Sequence, residues 1–229
     1  MTHISNTCIR SAEQHAAAYR DNGCSWIKSL IAPEMASNLT LELQKVVAQV
    51  GPRLLADPRI GEKPAYEIYS YRWMPMTTFH WSLTAHMQTL VGKELLPTYG
   101  FFRSYQQNDI CRIHADRMAC EHSLSMTLAY ADDKPWALSV EEQPLPQDKW
   151  MKAGQEADYG DNSYVEFLML PGDAVLYKGV EHRHGRLDPN PNRWSAHMFL
   201  HWVEKNGPYA GEAYDGYNMQ GHGDFVFPK

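Results

Sequence analysis

The run Cys111-Arg-Ile-His-Ala-Asp-Arg117 sets a histidine and an aspartate two positions apart. In an extended strand, alternate side chains share a face. Ile110, Arg112, His114 and Asp116 then point one way, and Cys111, Ile113 and Ala115 the other. An imidazole and a carboxylate on one face can grip one metal ion from one side. A third ligand must come from elsewhere, and the richest later segment is Glu181-His-Arg-His-Gly-Arg186. His182 and His184 are themselves two apart, so spacing leaves the choice between them open.

Two histidines and one carboxylate on one face of an octahedral ion leave three positions free. That arrangement belongs to non-haem iron(II) oxygenase chemistry, in which the free positions take a bidentate co-substrate and then dioxygen. Zinc also accepts His, His and Asp. Ligand type alone therefore does not choose the metal.

The elements that must position these groups follow from periodicity. A short helix is expected around Ala12–Tyr19. Met35, Leu39, Leu43, Val46, Val47 and Val50 recur at helical spacing until Gly51-Pro52. Residues 52–80 have no clear period. A second amphipathic helix is expected from about Ser82, with Leu83, Met87, Leu90, Val91 and Leu95 as its stripe and Pro97 as its stop. Beyond Phe101 the period turns toward two. Phe101–Gln106, Ile110–Asp116, Leu124–Tyr130, Trp136–Val140, Val165–Leu170, Ala174–Lys178 and Trp194–Val203 read as strands, and residues 141–161 as a long loop. Short strands broken by turns, with no long helices between them, argue against a doubly wound fold. They predict a mainly β chain, a sandwich, barrel or jelly roll, with the N-terminal helices packed on one sheet. The expected organisation is one domain over 1–229, with helices in 1–99, the core in 100–204 and an irregular tail in 205–229.

Bulk composition narrows the function classes. The chain has 229 residues, 12% aromatic and 21% charged, with net charge -6. No basic stripe suited to nucleic acid is present, and no apolar run approaches a membrane span. Cys8, Cys24, Cys111 and Cys120 match no zinc or redox spacing and read as free thiols of a reducing compartment. Without a signal-peptide pattern, the expected location is cytoplasmic. A homodimer is expected on general frequency.

The segment from Tyr105 to Tyr130 carries His-Ala-Asp-Arg at 114–117 and then Cys120-Glu121. A second segment reads LPGDAVLYKGVEHRHGR and leads into SAHMFLHWV. Together they resemble the iron(II)- and 2-oxoglutarate-dependent dioxygenases of the prolyl-hydroxylase-like superfamily, close to bacterial hydroxylases and halogenases of free amino acids. That family commonly shows a glycine, a glutamate and then His-x-Arg before the last core strand, matched here by Gly179, Glu181, His184 and Arg186. The resemblance selects His184 over His182.

By the same resemblance the core would be a double-stranded β-helix (jelly roll), and His114, Asp116 and His184 would be the iron ligands and the catalytic centre, with 2-oxoglutarate and dioxygen as co-substrates. The related halogenases replace the carboxylate by a small residue. Asp116 therefore points to hydroxylation of an unactivated carbon in a small polar substrate such as a free amino acid. The far carboxylate of 2-oxoglutarate needs a cation, and a guanidinium matches both its oxygens. Arg193 fits by strand position, Arg186 by the His-x-Arg segment, and Tyr105 is placed to donate to the same carboxylate. Arg117 reads as a substrate-carboxylate binder or a brace for Asp116. Arg72, Trp73 and Trp136 are candidates for the substrate mouth, with Tyr69, Tyr71, His80 and loop 141–161 around them. Two other readings use the same residues: a zinc or manganese jelly-roll isomerase or lyase, and a non-catalytic sandwich that binds a partner.

Overall fold

A computed structural model describes residues 10–150 and 155–216. Cys8 and the chain beyond Gly216 lie outside the described residues, and so does most of the C-terminal stretch read as a tail.

Three α-helices lie in the N-terminal part, interleaved with three short strands. Helix α1 (Ala12–Asn22) starts at a reciprocal cap. The Gln14 N–H donates to Ser11 Oγ, and the Ser11 N–H donates to Gln14 Oε1 at 2.8 Å. Gly23, in the left-handed region, ends it. Strand β1 (Cys24–Ile27) follows, then α2 (Pro33–Val50), whose bounds match its periodicity. Strands β2 (Leu55–Ala56) and β3 (Ala65–Tyr69) occupy the stretch that showed no period. Helix α3 (Met74–Val91) begins about two turns before the expected Ser82 and stops at Gly92, which adopts a left-handed conformation. Leu95 and Pro97 are thus not the end of a helix. They begin the long strand β4 (Leu95–Gln106).

The remaining strands are β5 (Cys111–His114), β6 (His122–Tyr130), β7 (Leu138–Glu141), β8 (Tyr164–Phe167), β9 (Ala174–Tyr177), β10 (His184–Arg186) and β11 (Trp194–Glu204). They form two antiparallel sheets, ordered β1-β9-β6-β11-β4-β3-β2 and β5-β10-β7-β8. Strands β4 to β11 are shared four to each sheet, which is a double-stranded β-helix. The fold class expected from the sequence is the one observed, with more strands than the periodicity showed.

The helices cover the outer face of the larger sheet. Tyr19, Leu43, Met87 and Leu90 pack with Leu124, Met126, Met198, Leu200 and Trp202 in the main core. Each such side chain contributes about 1.5–3 kcal/mol by leaving water. The opposite face of β6 carries Ser123, Ser125 and Thr127. These too are fully buried, because their face lines the interior between the sheets instead of meeting solvent. Cys24, Cys111 and Cys120 are buried free thiols. Among the described residues, no helix is long and apolar enough to cross a membrane.

Candidate metal centre

Strand β5 ends at His114, and β10 begins at His184. The two are register partners in the smaller sheet, with ring centroids 4.5 Å apart. Asp116 lies just beyond β5, where its backbone N–H donates to the Gly179 carbonyl at 2.9 Å. His114 Nε2 stands 3.7 Å from Asp116 Oδ1, and His184 Nε2 stands 3.6 Å from Asp116 Oδ2. The three donor atoms lie within 4.8 Å of one another.

The second nitrogen of each ring fixes its tautomer. His114 Nδ1 lies 2.8 Å from the Arg112 carbonyl, and His184 Nδ1 lies 3.0 Å from the His182 carbonyl. A carbonyl only accepts, so in the neutral imidazole Nδ1 carries the proton and Nε2 keeps its lone pair. Both lone pairs face the Asp116 carboxylate. Metal-bound histidines are oriented in this way, with the far nitrogen donating to a fixed acceptor.

Asp116 is held from the other side by Ser123, whose hydroxyl donates to Oδ2 at 3.0 Å. His201 Nδ1 in turn meets Ser123 Oγ at 2.9 Å. Gly179 leaves the room this requires. A Cβ there would collide with Asp116 Oδ2 and lie 2.5 Å from the Cys120 carbonyl oxygen.

Burial, joined by the neighbouring His184, lowers His114 to about 4. Burial also opposes charge on His184, but the Asp116 carboxylate overrides it and holds this ring above its ordinary value. Burial works against the Asp116 charge as well, and His184 and His114 outweigh it, leaving the carboxyl below the usual carboxylate range. One charged carboxylate and two rings with inward lone pairs form a donor set that suits a divalent ion.

The other histidine of the segment, His182, is turned away. Its Nδ1 bonds the Glu141 carbonyl at 2.8 Å, and its ring packs on Gly23.

The two arginines read as alternatives take opposite places. Arg193 lies at the surface with its side chain 71% exposed, paired to Asp132 at 2.8 Å. It does not reach the interior, because the start of β11 turns it toward the β6–β7 turn. Arg186 is buried at 2% exposure. Its guanidinium lies 4.6 Å over the Trp136 ring, donates from Nη1 to the Trp136 carbonyl and reaches His197 Nδ1 from Nη2 at 3.3 Å. Among the described residues no carboxylate pairs with it. Tyr105 is equally buried and meets Trp136 edge-on at 5.1 Å.

The mouth candidates divide. Trp136 is buried beside Tyr105, with its indole N–H donating to the Asp188 carbonyl. Trp73 packs against the main core, Arg72 is exposed above Tyr71, and His80 is buried against Trp202. None of the four pairs with a triad residue. Arg117 sits 4.4 Å over the Tyr99 ring and bonds Asp215 at 2.5 Å.

An interior ion pair was not foreseen from the sequence. Arg103, on β4, is 2% exposed and bonds Glu67 on β3 at 2.6 Å. Its signal was present in the alternation of β4, but nothing local says that this face meets a barrel interior.

No protein-family model matches the chain, and no curated protein matches it in sequence. Solved structures do share its fold. The non-heme alpha-ketoglutarate-dependent carbocyclase SnoK from nogalamycin biosynthesis superposes with a TM-score of 0.69 at 10% identity, over 93% of this chain and 92% of that one. A Pseudomonas putida prolyl-4-hydroxylase gives 0.61 at 12% identity, over 86% and 100%. HygX from Streptomyces hygroscopicus, solved with nickel and 2-oxoglutarate bound, gives 0.60 at 10% identity, over 86% and 89%. The chain therefore has the double-stranded β-helix fold of the 2-oxoglutarate and iron(II) oxygenases.

Proposed function

We propose that this protein is an iron(II)- and 2-oxoglutarate-dependent oxygenase that hydroxylates an unactivated carbon of a small polar molecule, such as a free amino acid or a derivative. The observation that carries the reading is the triad. Two imidazoles, each with Nδ1–H tied to a carbonyl of its own strand or the turn before it, direct Nε2 toward one charged carboxylate inside this fold. His114, Asp116 and His184 would hold the metal. Iron(II) with bound 2-oxoglutarate supplies the activation of dioxygen and the oxidation of a C–H bond.

The chain's own residues then have distinct tasks. Ser123 holds the Asp116 carboxylate, and the Gly179 carbonyl holds its backbone. Arg186 receives the far carboxylate of the co-substrate. A buried guanidinium with no anionic partner is costly, and a ligand carboxylate supplies the missing charge. Tyr105 and Trp136 wall off that end from water. The proposed substrates are small molecules.

The test is anaerobic loading of the metal-free protein with iron(II), then with 2-oxoglutarate. A visible charge-transfer band that requires both, and that vanishes in Asp116→Ala and His184→Ala, is expected. Iron binding without the band would reject 2-oxoglutarate and favour a zinc or manganese enzyme on the same three ligands.

A further inference from the structure

On the inner face of the larger sheet, cross-strand partners sort into rows. Glu67 pairs with Arg103, and Tyr69 with Phe101, between β3 and β4. Arg103 then pairs with His197, and Phe101 with Phe199, between β4 and β11. His201 pairs with Ser123, the residue that holds Asp116. The face therefore carries a charged row, an aromatic row and a row joined to the triad. Successive rows lie about 7 Å apart, two residues along a strand.

The aromatic row is a ladder of near-parallel rings. Tyr71 to Tyr69 is 5.5 Å at 25°, Tyr69 to Phe101 is 5.6 Å at 24°, and Phe101 to Phe199 is 4.8 Å at 23°. Tyr99 joins at 6.1 Å from Phe101 and 4.7 Å from His201. Tyr71 is 53% exposed, so the ladder runs from the surface inward. Tyr69, Tyr99, Phe101 and Phe199 are only partly buried, although Arg103, Ser125, His197 and His201 around them are fully buried. Rings left half open in such surroundings border a space.

The charged row adds a second demand. Arg103 gives Nη1 to Glu67. The guanidinium lies 4.7 Å over the Tyr105 ring, and its buried Nε and Nη2 make no hydrogen bond among the described residues. Those two N–H groups form one edge of the guanidinium, the fork that takes a carboxylate through both oxygens. Buried donors left unpaired mark a missing acceptor.

We infer that the substrate is a small carboxylate bearing a flat, aromatic ring. Its ring joins the Tyr69–Phe101–Tyr99 wall by offset or edge-on packing, and its carboxylate takes the Nε and Nη2 edge of Arg103. Glu67 braces Arg103 and balances its charge. The inference rests on the oxygenase reading and narrows its substrate from amino acids in general to ring-bearing acids.

The test begins with ligand-observed NMR on metal-free protein. The probes are aromatic amino acids and short aryl-alkyl carboxylates, set against aliphatic acids of equal charge. Aromatic acids should bind at least tenfold tighter. Phe101→Leu should weaken them about tenfold, as the loss of one ring contact does, and Arg103→Lys, which keeps the charge but loses the planar fork, should weaken them at least tenfold. Equal binding of aliphatic acids, or no change in Phe101→Leu, overturns the inference. The iron(II)–2-oxoglutarate band is then recorded in Arg103→Lys, with folding checked by thermal melting. A band kept there assigns Arg103 to the substrate. A band lost in the folded variant assigns it to the co-substrate and overturns the carboxylate half. If wild-type protein gives no band, the oxygenase reading fails by itself, and the NMR result still decides whether ring-bearing acids bind.

Discussion

His114 and His184 face each other across β5 and β10 and are oriented by the same device. Each ring gives its Nδ1–H to the carbonyl two residues earlier in its own chain, Arg112 and His182 respectively. Neither ring needs a separate carboxylate to set its tautomer. The Asp116 carboxylate is therefore not needed to orient them, which fits it to the ligand role proposed for it.

Ser123 is the side chain on which Asp116 depends most directly. Ser123→Ala removes the hydroxyl that donates to Oδ2. Metal affinity should fall about tenfold, toward the lower end of what outer hydrogen bonds contribute to metal sites. Competition between the protein and a chromophoric chelator for iron(II) measures it. An unchanged affinity would show that the carboxylate is held by its backbone alone.

Gly179→Ala tests the close approach behind the same carboxylate. The added methyl would meet the Cys120 carbonyl at 2.5 Å and collide with Asp116. Overpacking of this kind costs about 1–3 kcal/mol. A lowered urea midpoint together with lost metal binding is expected. Full retention of both would mean that the loop after β9 moves freely.

The arginines separate cleanly. Arg193→Ala removes an exposed pair with Asp132 and should change stability by less than about 1 kcal/mol. The apparent affinity for 2-oxoglutarate should stay within about twofold, since an exposed pair carries so little energy. Arg186→Lys keeps the charge but loses the planar fork, and should weaken 2-oxoglutarate at least tenfold, the scale of one charge-assisted hydrogen bond. Titration of the visible band in both variants reads the difference. The reverse order would return the role to Arg193.

Acid should destabilise the metal-free protein well before its carboxylates protonate. Burial lowers His80 and His122 from 6.5 to about 3, and burial lowers His201 to about 4. A depressed folded value contributes stability above the unfolded pKa that is lost as pH falls through and below it. The window runs from about 6.5 down toward 3. At pH 5 each such ring costs roughly 2 kcal/mol relative to neutral pH. His184 works the other way. Its raised value contributes stability at low pH that is lost as pH rises through the folded value. The urea midpoint should drop steeply between pH 7.5 and pH 5. A flat profile would show that these rings protonate in the folded state without penalty.

Local pattern determined a good deal of this protein. The apolar period marked α2 along its length, alternation marked β6, and β11 stood out as the last strong strand. The pair His114 and Asp116 stood out by spacing alone. These features are legible because each depends on neighbours within one turn or one pleat. Other features depended on partners far along the chain. The serine face of β6 has the same alternation whether it meets water or a barrel interior, and only sheet closure made it interior. His182 and His184 are equivalent by spacing, and pairing of β10 with β5 turned the second one toward Asp116. Arg186 and Arg193 are both arginines near a strand end, separated only by which side of the sheet each guanidinium meets. Arg103 went unseen for the same reason. Periodicity records that a face is polar. Only tertiary contact decides whether that polarity meets solvent or a site.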